Sequence, residues 1–109
     1  MFKKDDLKSH IGDTMEINGK KFTLSFTMRG EIYKWMSDEY NIYTHINEIP
    51  DRPLNVEITK RNTNQLIGND HAGIESDDYE TYKRRTKLLA ENIIRWHKLK
   101  SVASQLRNV

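Results

Sequence analysis

Thr14-Met15-Glu16-Ile17-Asn18-Gly19-Lys20-Lys21-Phe22-Thr23-Leu24-Ser25-Phe26 is the stretch that decides the fold class. Asn-Gly between two runs of alternating polarity marks a two-residue type I′ turn, because both central residues of that turn need φ > 0. A two-residue loop sets Met15 opposite Phe22 on one face and Glu16 opposite Lys21 on the other. Phe22, Leu24 and Phe26 then alternate onto the apolar face. The expectation is a β-hairpin formed by 14–17 and 20–26.

Working outward, residues 2–11 read as a short helix, with Leu7 and Ile11 one turn apart and Gly12 placed to stop it. On the other side Ile32, Trp35, Met36 and Tyr40 fall at helical spacing behind Thr27 as N-cap, which predicts a helix over 28–40. Ile42-Tyr43-Thr44-His45-Ile46 is β-rich but short, and the prolines at 50 and 53 force a turn or extended loop. Residues 54–60 alternate cleanly as a further strand. From Arg61 to Ser76 the chain is polar and carries Gly68 and Gly73, so a long loop is expected, with at most a short strand or turn at Leu66-Ile67.

The last segment is the strongest helix, with no Gly or Pro from 74 to 109. Asp77 and Glu80 have capping-box spacing, and Ser76 is a rival cap. Tyr79, Tyr82, Leu89, Ile93 and Trp96 recur at three- to four-residue spacing and define the face expected in the core. The resulting fold class is α+β: a small, mostly antiparallel sheet with an N-terminal hairpin, one short helix and a long basic C-terminal helix, all in a single domain over 1–109.

The 109 residues carry 36% hydrophobic and 31% charged side chains, enough for one modest core. No apolar run approaches the ~20 residues of a membrane span, and Met-Phe-Lys-Lys-Asp-Asp turns acidic where a signal peptide needs apolar residues. A cytoplasmic, non-membrane setting is expected. The absence of cysteine removes disulfides, a thiolate nucleophile and Cys-based zinc. His10, His45, His71 and His97 show no metal-ligand spacing. The stretch Gly68-Asn69-Asp70-His71-Ala72-Gly73, followed by Glu75, Asp77 and Asp78, is the only crowding of acids with a histidine, and it reads better as turns and a helix start than as a metal-dependent nuclease. With no phosphate loop or nucleophile elbow, neither catalytic residues nor a cofactor is expected. Tyr40 and Tyr43 are the aromatics expected to be exposed, while Phe22, Phe26, Trp35 and Trp96 are expected in the core.

The formal charge of +2 conceals a split. Residues 1–81 hold 10 Lys/Arg against 15 Asp/Glu, and residues 82–109 hold 8 against the single acid Glu91. On a helical wheel Lys83, Arg84, Lys87, Arg95 and Lys98 form an outward stripe, with Ile94 at its edge, opposite Tyr82, Leu89, Ile93 and Trp96. Cations on a rigid rod suit a polyanion such as nucleic acid, or an acidic protein surface. The alternative is a solvated face on which Glu91 pairs locally with Lys87 and Arg95. A helix over 77–107 would span roughly 45 Å and overhang a domain of ~13 Å radius of gyration. Leu99, Val102 and Leu106 point roughly 90–100° away from the first apolar face. Either the chain bends near 97–101, or these three form an oligomer interface, with a homodimer as the expected assembly.

Residues Met15-Glu16-Ile17-Asn18-Gly19-Lys20-Lys21-Phe22-Thr23-Leu24-Ser25-Phe26-Thr27-Met28-Arg29 resemble the opening of some tail assembly chaperones of tailed bacteriophages, which start with a hairpin around a similar turn followed by a helix. Lys, Asn and Ile total 31 residues and Ala only 3, as in products of AT-rich genomes. The resemblance implies a small phage accessory protein acting in the host cytoplasm on a host enzyme or nucleic acid, as a regulator, inhibitor or adapter.

Overall fold

The computed structural model describes residues 7–26, 32–46, 53–74 and 78–107. Six strands, β1 (Thr14–Ile17), β2 (Lys20–Phe26), β3 (Ile32–Met36), β4 (Tyr40–Ile46), β5 (Leu54–Lys60) and β6 (Leu66–Ala72), precede one long helix, α1 (Tyr79–Arg107). Each strand pairs antiparallel with the next, giving a meander in the order β1-β2-β3-β4-β5-β6. The opening hairpin has the expected register, Met15 opposite Phe22 and Glu16 opposite Lys21. Asn18 and Gly19 at its turn have φ of 51° and 81°, the type I′ geometry that Asn-Gly favours.

The expected helix over 28–40 is replaced, across its described residues, by β3, a turn and the start of β4; Thr27 lies outside the described residues. Both periods fit this stretch. Ile32, Trp35, Met36 and Tyr40 share a helical face, but Tyr33 and Trp35 also alternate with Ile32, Lys34 and Met36. The strand ladder decides between them: Leu24 pairs with Trp35 on one side of β3, and Ile42 pairs with it on the other. The Ser37 hydroxyl organises the turn by accepting hydrogen bonds from the Tyr40 and Glu39 amides at 3.0 and 3.3 Å. Such local side-chain bonds favour turns over helix.

The expected long loop over 61–76 is likewise mostly structure. A turn with Asn64 at φ 56° leads into β6, which runs along β5 as far as Leu54 opposite Ala72. As an edge strand reading LIGNDHA, β6 has little intrinsic β-propensity and owes its form to pairing and to the helix above it.

One face of the sheet holds the core. Phe22, Leu24, Trp35, Ile42, Leu54, Val56 and Ile58 are all buried there, and Leu7 closes one end. Of the short helix expected over 2–11, residues 7–8 are helical, 9–11 form turns and 2–6 lie outside the described residues; Ile11 is exposed, and Gly12 takes a φ of 96° as the chain enters β1. Helix α1 contacts β5, β6 and the far edge strand β1, so it bridges the two ends of the sheet. The molecule extends 51 × 28 × 24 Å, its long axis set by a helix of about 43 Å.

Candidate binding surface on the C-terminal helix

Three sets of contacts fix the first half of α1. Asp78 caps its start: the Thr81 amide donates to Asp78 Oδ1 at 2.7 Å. Asp77 and Ser76, the caps expected from sequence, lie outside the described residues. Deeper in, the Trp35 indole N–H donates to the Tyr82 hydroxyl at 3.0 Å. Thr44 Oγ1 donates to the Tyr33 carbonyl at 3.0 Å, which leaves the Tyr82 hydroxyl to donate to Thr44 Oγ1 at 2.6 Å. This relay ties α1 to β3 and β4, and burial pushes the Tyr82 phenol up to about 12.

The third anchor is Asp13. It accepts from the Tyr79 hydroxyl at 2.6 Å, from Lys83 Nζ at 3.0 Å and from the Thr14 amide at 2.8 Å. The Tyr79 bond, with Lys83 and Thr14 adding to it, holds the Asp13 carboxyl below its ordinary range. Burial and the same carboxylate push Tyr79 up. The His10 ring stacks on Tyr79 at 3.6 Å with 5° between the planes.

Helix α1 continues as unbroken helix through 97–101. Tyr82, Leu89 and Ile93 are buried as expected, but Trp96 is 63% exposed. Ile94, expected at the rim of the outward stripe, is instead buried, which turns the packed face towards it. Tyr40, expected to be exposed, is buried beside β5.

The five basic residues divide. Arg84, Lys87, Arg95 and Lys98 are exposed. Lys83 is half-buried and committed to Asp13, a neighbour that helical spacing does not reveal. Lys98 adds to the positive field that, after the direct Lys20 bond, holds Glu39 below its ordinary range. Leu99 and Val102 are 53% and 51% exposed, and Leu88 joins them at 46%. Leu106 lies on the helix, and its side chain is outside the description.

On the opposite face of the sheet, a hollow of about 430 Å³ is lined by Tyr43, His45, Glu57 and His71 among others. None of its described lining residues is lysine or arginine, so it does not extend the basic surface. Among the described residues no three His, Asp or Glu side chains come together as metal ligands, and no helix is long and apolar enough to cross a membrane. Asp70 and His71 sit on β6, whereas 75 and 77 lie outside the described residues. Comparison with protein-family models, curated proteins and solved structures finds no match to this chain.

Proposed function

We propose that this chain is a small non-enzymatic regulatory protein that contacts nucleic acid through Arg84, Lys87, Arg95 and Lys98. The observation that carries the reading is their common exposure along one side of a helix that outruns its own domain. Cations on a helix need no backbone ordering to meet phosphates, and they release counterions when they do. Titrating labelled single- and double-stranded DNA and RNA at low salt tests it: binding that tightens as salt falls supports the reading, and no binding to any of the four sinks it.

A protein-binding inhibitor or adapter, the kind of accessory protein that the hairpin resemblance implies, is favoured by a separate observation. Leu88, Leu99 and Val102 are exposed beside the same cations, a mixture that suits an acidic protein surface with an apolar centre. Binding to such a protein that nucleic acid fails to compete away would select this reading over the first.

A further inference from the structure

Outward residues of α1 recur with a regularity that contact with nucleic acid does not require. Leu88, Asn92, Arg95, Leu99 and Val102 follow one another at intervals of four, three, four and three, and all five are exposed. This is the seam spacing of a two-stranded coiled coil. On the helical wheel its centre lies roughly 140° from the buried Tyr82, Thr86 and Ile93, and all five of its side chains face solvent.

We infer that α1 pairs with α1 of a second copy, antiparallel, through this seam. The polar residues in the seam choose the direction. A parallel pair in register would press Arg95 against its own counterpart, two desolvated like charges. In the antiparallel pair Leu88 faces Leu99 of the second copy, Asn92 faces its Arg95, and Glu91 lies beside its Lys98. Leu88 and Leu99 then meet as apolar partners, an amide oxygen accepts from a guanidinium, Val102 lies along the aliphatic stem of Arg85 of the second copy, and opposite charges flank the seam. Each overhanging helix end lies along the outer side of the other copy's body-packed half. That arrangement accounts for a helix longer than its domain and for apolar exposure in both halves, Leu88 in one and Leu99 and Val102 in the other. Arg84 and Lys87 stay outside the seam, while Arg95 and Lys98 serve both readings, so nucleic acid and a second copy compete for this face, and sedimentation without nucleic acid tests the pairing alone.

Sedimentation equilibrium of the intact chain tests the pairing, and the lack of native cysteine makes cross-linking a clean test of direction. A reversible dimer is expected, and Leu99→Glu should weaken it by about tenfold or more while leaving far-UV circular dichroism unchanged. Under mild oxidation Leu88→Cys/Leu99→Cys should form a covalent dimer, and Leu99→Cys alone should not. A chain that stays monomeric at high concentration, or a Leu99→Glu variant that dimerises as well as the parent, overturns the pairing. Efficient cross-linking of Leu99→Cys alone overturns the antiparallel direction.

Discussion

Lys83 Nζ lies 3.0 Å from Asp13 Oδ2, so one cation of the basic helix is spent on holding that helix to the sheet. The consequence for binding is specific. Arg84→Ala should flatten the dependence of log affinity on log salt by about one unit, the share of one phosphate contact. Lys83→Ala should leave that slope nearly unchanged while lowering the melting temperature. Anisotropy titrations at several salt concentrations, with thermal melts of both variants, check it.

The same clamp sets an acid limit. A carboxyl held below its unfolded value binds its proton less readily when folded, so the unfolded state takes up more protons as pH falls. The stabilisation from Asp13 is therefore complete above about pH 4 and is lost as pH drops towards the depressed folded value. Both partners are partly solvated, so the expected cost of Asp13→Asn is only about 1 kcal/mol. Urea unfolding of parent and variant should differ at pH 7 and draw together as pH falls below the ordinary carboxylate range.

At the alkaline end the sign reverses. Tyr82, raised to about 12, and Tyr79, raised as well, keep their protons when folded, whereas the unfolded chain releases them near pH 10. Stability is full below that point and falls as pH rises above it. Tyr82→Phe removes this dependence at one site but leaves the buried Trp35 N–H without its acceptor, at a cost of about 1–3 kcal/mol. Alkaline titration followed by tyrosinate absorbance and circular dichroism reads both effects.

Gly68 lets the sheet and the helix approach closely at Ile93. A methyl group on Gly68 would lie 2.6 Å from Ile93 Cγ2, so Gly68→Ala should destabilise by roughly 1–3 kcal/mol. Ile93→Ala opens that space, and the double variant should lose less than the sum of the two single variants. Denaturant midpoints of the four proteins measure the coupling.

How far the fold was legible from sequence follows from which forces act locally. The Asn18-Gly19 turn fixes its own geometry, so its hairpin and register could be read directly. Residues 32–40 carry apolar side chains compatible with both periods, and only pairing with β2 and β4 decides between them. Strand β6 offers Gly68, Asn69 and Asp70 where a strand favours branched residues; its conformation comes from β5 and from Ile93 pressing on the one residue without a side chain. On the helix, periodicity located the exposed cations but could not show that Asp13, 70 residues away from Lys83, removes one of them. Nor could it show that the packed face turns towards Ile94, which leaves Trp96 in solvent although it reads as core.

If the exposed cations on α1 bind a polyanion, the salt dependence of binding carries their signature. With four cations engaged on duplex DNA, log affinity should fall against log salt with a slope of roughly −3 to −4. Arg84→Ala/Lys87→Ala should bring that slope to about −2 with the fold intact. No detectable binding at low salt, or a slope that the double substitution leaves unchanged, would show that these cations do not contact nucleic acid.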